Sequence, residues 1–202
     1  EQSAAMAADG YYRVSGQMGA CIVTSGPGAT NLLTGVCCSY YDSVPTLMLT
    51  GQVATHRLKG ERKVRQVGFQ ETDALSIYSS VTKYAEQLCD PSQIANILDH
   101  AFAEAEDGRP GPVLVDIPDD LQRSYVDTAM LQRYDSPARV CSDKLSRQVQ
   151  LLLAKISDAK RPVIVLGGGF STPRKVNELR EFLKYVEVPL VQTWAGLDLV
   201  PY

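Results

Sequence analysis

Short, continuously apolar runs of strand length, separated by stretches of helical periodicity, constrain this chain more than any other feature. Residues 20–24, 45–50 and 112–117 are apolar or nearly so, without the in-out alternation of a half-exposed strand. Strands of that kind are buried on both faces, as when crossover helices cover a parallel sheet. Helix-period segments lie between them. Residues 1–13 repeat Ala4, Ala5, Ala8, Tyr11 and Tyr12 at helical spacing, and Gly16 supplies a stop. A second helix is expected over 29–40, after the turn Ser25-Gly26-Pro27-Gly28, and another over 72–79. Over 91–106, Ile94, Ile97, Leu98, Ala101, Phe102 and Ala105 form one stripe, with Pro91 in the first turn, where its missing N–H is tolerated. The polar, basic stretch 55–68 is a loop. The fold class is therefore α/β, with parallel sheet layers covered by helices on both faces.

After Pro118 the alternation lapses. Residues 119–142 are polar and contain Pro137, as an interdomain connection does, and a second alternation follows. It predicts a helix through Leu145, Val149, Leu152, Leu153 and Ile156, strands over 162–166 and 188–193, a turn at Gly167-Gly168-Gly169 and a helix over 173–186. The organisation expected is a first domain over 1–125, a linker over 126–142 and the start of a second domain over 143–202. Both ends read as cut: Glu1 already lies in a helical pattern, and Pro201-Tyr202 follows a glycine-containing loop without a closing element.

A net charge of -3 argues against a nucleic-acid binder, which would cluster Lys and Arg. The one basic cluster, Arg57, Lys59, Arg62, Lys63 and Arg65, is interrupted by Glu61 and reads as a solvated loop. Apolar runs such as 163–166 are far below the ~20 residues of a membrane-spanning helix, and no signal peptide is visible. The five cysteines are an odd number without a CxxC or a histidine at metal-ligand spacing. They read as buried free thiols in a reducing, cytoplasmic setting.

The motifs carry the functional reading. Glu1, Ala4, Ala8, Gly10, Tyr11 and Arg13 match the spacing of a glutamate-led helix. Thr24-Ser25-Gly26-Pro27-Gly28-Ala29-Thr30-Asn31, Asp42-Ser43-Val44-Pro45, Thr50-Gly51-Gln52-Val53, Phe69-Gln70-Glu71-Thr72, Thr82-Lys83 and Gly108-Arg109-Pro110-Gly111-Pro112-Val113 follow in order. The whole series resembles the thiamine-diphosphate-dependent enzymes, specifically acetolactate synthase large subunits. The resemblance implies a partial pyrimidine-binding domain over 1–125 followed by the start of the central α/β domain. It also implies a carboligase of branched-chain amino-acid biosynthesis, which decarboxylates pyruvate and adds the two-carbon unit to a 2-oxo acid. A fragment of this kind would be inactive alone.

Glu1 is the catalytic candidate: a carboxylic acid kept protonated by apolar surroundings can hydrogen-bond the aminopyrimidine ring and favour its imino form. Ser43 and Gln70 are the thiamine diphosphate contacts that the resemblance implies, and Phe69 lines the substrate channel. Arg109 and Gly168 are the candidate FAD contacts; a salt-bridged arginine and a plain turn are the alternatives. No metal ligand is assigned, since Mg2+ and the diphosphate would be held by a C-terminal domain outside this chain. The Ser25-Gly26-Pro27-Gly28 turn could cradle a phosphate at a helix N-terminus or be purely structural. Small 2-oxo acids, a homodimer or tetramer with the active site between subunits and a regulatory subunit are the implied partners; nucleic acid and membrane are not.

Three positions depart from the acetolactate synthase pattern. Ala54 replaces a Pro, Asp119 replaces a Lys, and Thr193-Trp194-Ala195-Gly196-Leu197-Asp198 differs from the usual Thr-Leu-Met-Gly-Leu-Gly; the stretch 56–68 is also long. They leave open a related 2-oxo-acid decarboxylase or lyase, and the reading from residues alone leaves open a non-catalytic nucleotide-binding α/β module. A decarboxylase with a His-His pair is disfavoured, because the chain has only His56 and His100.

Overall fold

The structure is a computed structural model that describes residues 1–136, 143–170 and 173–200. The chain divides into two compact units, Glu1–Asp135 and Ser136–Tyr202.

The first unit is built from α1 (Gln2–Ser15), β1 (Gly19–Val23), α2 (Pro27–Asp42), β2 (Thr46–Gln52), α3 (Ala74–Tyr78), β3 (Tyr84–Gln87), α4 (Ile94–Glu106), β4 (Val113–Pro118) and the single turn α5 (Asp119–Gln122). The four strands form one parallel sheet in the order β1-β2-β4-β3. Successive side chains on a strand face opposite ways, so the apolar runs feed two cores. Cys21, Val23, Met48 and Leu114 pack with Ala5, Leu32, Val36 and Tyr78 under α1, α2 and α3. Leu47, Val113 and Val115 pack with Ile97, Ala101 and Ala105 under α4. This is the helix-covered parallel sheet expected from the unalternating strands in β2 and β4, whereas burial alternates along β1, which lies at a sheet edge and leaves Ile22 exposed.

Helices α1 and α2 run in parallel, with contacts every four residues along α1. Glu1 meets Asn31, Gly35 faces Ala5, Ser39 donates to Asp9 at 2.8 Å, and Arg13 bonds both Asp9 (2.5 Å) and Asp42 (2.7 Å). A Cβ on Gly35 would stand 2.5 Å from that of Ala5, so the missing side chain is what lets the two helices touch.

Strand β3 has no counterpart among the predicted elements. Its sequence, Tyr-Ala-Glu-Gln, is half-buried throughout and carries no apolar run, because it lies at the sheet edge. What makes it a strand is pairing with β4, continued by Lys83 N–H to the Pro112 carbonyl and Leu88 N–H to that of Asp116. Phe102, predicted in the α4 stripe, is instead nearly half exposed on its flank. Cys21 is buried as expected, whereas Cys38 and Cys89 are exposed; Cys141 and Pro137 lie outside the described residues.

Beyond α5 the chain returns along α4. Arg133 pairs with Asp99 at 2.6 Å, and Tyr134 stacks on His100, whose ring also meets Tyr84. These contacts keep residues 126–135 with the first unit, further along than the expected boundary at 125.

The second unit contains α6 (Asp143–Asp158), β5 (Ile164–Leu166), α7 (Pro173–Leu183) and β6 (Leu190–Gln192). The two strands are parallel, and Leu166, Leu179 and Leu199 form the buried core. Among the described residues no helix is long and apolar enough to cross a membrane.

Candidate functional site

In a parallel sheet the connections that leave the strands at their carboxyl ends gather on one edge, where ligands of open α/β sheets bind. Here that edge carries a cleft of about 1080 Å³, lined by Thr24, Ser25, Gly51, Ala54, Arg57, Phe69, Asp119, Asp120 and Arg123 among others. Phe69 is 81% exposed at its margin. Asp119 is engaged by Arg123 at 2.6 Å, and Asp120 accepts from the Thr55 hydroxyl at 2.5 Å and its N–H at 3.0 Å.

Glu1 is the N-cap of α1 and is exposed; its Oε2 accepts from Asn31 Nδ2 at 2.8 Å. Asn31 lies in the first turns of α2, which begins at the Gly26 turn. Gly26 has φ 64°, and a Cβ there would come within 2.8 Å of the Gln70 Cβ and 2.9 Å of its carbonyl oxygen. The bare Gly26 backbone therefore seats Gln70 beside the start of α2. Gln70 itself has φ 65°, a left-handed conformation uncommon for a residue with a side chain.

The loop leading to Gln70 is tied by Glu71. Its carboxylate accepts the backbone N–H of Lys59 (2.6 Å) and of Val67 (2.7 Å), with that of Gly68 at 3.4 Å. Partial desolvation pushes this carboxyl up, but the three N–H groups and the Lys59 charge outweigh it and hold it below the usual glutamate range. On the far side of Gln70, Gln52 Nε2 donates to the Thr72 carbonyl at 2.7 Å and to Asp116 at 3.1 Å.

Ser43 and Arg109 are placed differently. Ser43 is the left-handed C-cap of α2 (φ 62°), just before β2 begins, and Arg109 precedes β4. Arg109 Nε donates to Ser43 Oγ at 2.6 Å, and Nη2 to the Tyr41 carbonyl at 3.3 Å. Both therefore sit at the amino edge of the sheet. Seven-residue β2 separates them from the Gln70 edge, roughly 20 Å at the usual strand rise. Within one chain, Ser43 and Gln70 do not meet on one small ligand. In the second unit Gly168 opens a 3-10 turn after β5, and a Cβ on it would stand 2.9 Å from that of Ala195, so packing of the two strand-end turns accounts for this glycine.

Comparison with known proteins bears on this geometry. Residues 1–77 match the model of the thiamine pyrophosphate enzyme N-terminal TPP binding domain, and residues 149–202 match that of the thiamine pyrophosphate enzyme central domain. The chain belongs to the thiamine pyrophosphate enzyme family. It is 41% identical, over its whole length, to the acetolactate synthase large subunit of Corynebacterium glutamicum, of which it covers 31%. It is 39% identical to that of Lactococcus lactis, covering 34% of it, and 38% identical to acetolactate synthase 2, chloroplastic, of Nicotiana tabacum, covering 30%. The chain thus spans about a third of the length of these relatives.

The residues present fit the family's cofactor at three points. A carboxylate heads α1 with a side-chain amide beside it, an amide with donors and an acceptor stands at Gln70, and Gly26, lacking a side chain, lets Gln70 pack against the start of α2. The apolar cover that would keep Glu1 protonated is not supplied by the described residues of this chain. Among the described residues no cluster of His, Cys, Asp or Glu could hold a metal ion.

The sequence named Glu1, Gln70 and Phe69, which the structure brings to one edge. It missed Asn31, Gln52 and Asp116. Asn31 closes the quoted Thr24–Asn31 motif and could have been read from it, whereas a lone Asp116 in an apolar run gives no sign of its partners until β2, β3 and β4 are assembled. Ala54, Asp119 and Arg57, from two departures and the long stretch, all line the one cleft.

Proposed function

We propose that this chain supplies the pyrimidine-facing part of a thiamine-diphosphate-dependent carboligase of the acetolactate synthase type. The enzyme decarboxylates pyruvate and condenses the two-carbon unit with a second 2-oxo acid, as in branched-chain amino-acid biosynthesis. What carries the reading is the gathering of Glu1, Asn31, Gly26 and Gln70 at the carboxyl ends of parallel strands, in a chain 41% identical to an acetolactate synthase large subunit.

When bound, thiamine diphosphate would supply the nucleophilic carbon and the electron sink. Glu1 would hold a proton toward the aminopyrimidine nitrogen once a neighbouring subunit covers it, because apolar cover disfavours the ionised carboxyl group. Asn31, donating to Glu1, would fix its rotamer. Gln70 would offer donor and acceptor to the ring system, and Phe69 would narrow the substrate path. Mg2+ and the diphosphate would be held by residues outside this chain. A homodimer or tetramer, a cytoplasmic setting and a regulatory subunit belong to the same proposal. Arg109, the candidate FAD contact in the first unit, would have to exchange its Ser43 partner to bind that cofactor.

A second reading within the class has its own support. Because the departures Ala54 and Asp119 line the cleft together with Arg57, the acceptor 2-oxo acid would be one other than pyruvate or 2-oxobutyrate. One experiment separates the two. The intact protein, with thiamine diphosphate and Mg2+, is given pyruvate with and without 2-oxobutyrate, and the products are identified. Acetolactate and acetohydroxybutyrate support the first reading; neither product, with carboligation appearing only when a different 2-oxo acid is supplied as acceptor, supports the second. Turnover in Glu1→Gln is expected to fall by about 10²- to 10⁴-fold, the usual weight of a positioned acid or base; unchanged turnover would overturn both.

A further inference from the structure

Asp116 is 1% exposed in the middle of an apolar strand, where packing alone would favour Val or Leu. Burying a carboxylate is costly unless its lone pairs are met, and here three donors converge on it. Thr50 Oγ1 donates to Oδ1 at 2.6 Å, and Gln87 Nε2 (2.7 Å) and Gln52 Nε2 (3.1 Å) donate to Oδ2. Burial raises the Asp116 carboxyl above its ordinary range, and these donors oppose the rise.

Thr50 and Gln87 connect Asp116 only to its neighbouring strands, whereas Gln52 passes the connection out of the sheet. With Asp116 holding one amide hydrogen and Val53 N–H donating to its Oε1 at 2.9 Å, the remaining hydrogen of Gln52 is aimed at the Thr72 carbonyl. Thr72 is two residues beyond Gln70, and Glu71 anchors the loop on the other side. A left-handed backbone at a residue with a side chain persists only where its surroundings over-determine it, and these two anchors do so.

We infer that Gln52 and Asp116 are positioning residues that hold the Gln70 backbone in its left-handed form and so aim the Gln70 amide. The functional part of this inference rests on the thiamine diphosphate reading of Gln70. Strand pairing alone does not account for the Gln52–Thr72 contact, since Thr72 belongs to no strand.

The test is native-state amide exchange of the intact protein, together with its affinity for thiamine diphosphate. Gln52→Met keeps the volume and removes the donor. Exchange of residues 69–74 is expected to rise about tenfold, the weight of one hydrogen bond, with β2 and β4 unchanged. Thiamine diphosphate binding should weaken in Gln52→Met as it does in Gln70→Ala. Asp116→Asn is the conservative rescue. Its carboxamide can turn the oxygen to both glutamines and give its N–H to Thr50, so exchange and affinity should stay near wild type. Unchanged exchange at 69–74, or a rise spread evenly over the sheet, overturns the inference. A local rise without any loss of affinity in either Gln52→Met or Gln70→Ala instead overturns the cofactor reading and leaves the positioning intact.

Discussion

Gly26 and Gln70 both have positive φ, and each limits what the other can be. At Gly26 an added methyl would meet Gln70 at 2.8 Å while forcing a residue with a side chain into the left-handed region. Gly26→Ala is therefore expected to cost about 1–3 kcal/mol and to shift Gln70; urea denaturation should give the first, and thiamine diphosphate affinity the second. Glu71 supplies a pH dependence whose sign follows from its partners. Its folded pKa lies below that of the unfolded chain, so the stability it contributes is complete above about pH 4.3 and is lost as pH falls through the lower folded value. The protection of loop 59–68 against amide exchange, taken relative to the intrinsic rate at each pH, should fall on acidification through that range, and Glu71→Gln should flatten the response. The sequence singled out Gln70 by its motif. Its left-handed backbone was not legible, because the bonds that hold it, from Gln52 to the Thr72 carbonyl and from Lys59 and Val67 to Glu71, form only when the loop is folded against the sheet.

The α1–α2 pair shows how spacing becomes structure. Ala4, Ala5 and Ala8 at helical period announced a helix with a small-residue face; Ala5 lies with Glu1, Asp9 and Arg13 in the parallel seam with α2, whereas Ala8 backs onto Gly19 of β1. Gly35→Ala should part the helices and destabilise the protein by about 1–3 kcal/mol. The double variant Ala5→Gly with Gly35→Ala should recover most of the loss, since the two Cβ positions are 2.5 Å apart; a thermal-melt double-mutant cycle measures the coupling. Strand β3 shows the limit of such reading. Its polar residues carry no period, and its state is decided by the open edge of β4.

Across the first unit the sheet separates Ser43 from Gln70, the two residues that the sequence had put on thiamine diphosphate. Glu1, Gln70 and Phe69 share the carboxyl edge, while Ser43 and Arg109 bond each other at the amino edge. Ser43→Ala in the intact protein should accordingly leave thiamine diphosphate affinity unchanged and lower stability by about 0.5–1.5 kcal/mol through loss of the Arg109 bond; titration calorimetry and thermal melts check the two halves. The alternation of unbroken apolar strands with amphipathic helices determined the α/β class, because burial on both faces leaves a covered parallel sheet as its main outlet. The ordered motifs determined the family. Which named residues share an edge, which glycines serve as contacts, and where Asp116 finds its donors were decided only in three dimensions. Those relations include hydrogen bonds between residues as many as 68 apart, and local periodicity contains no term that links them.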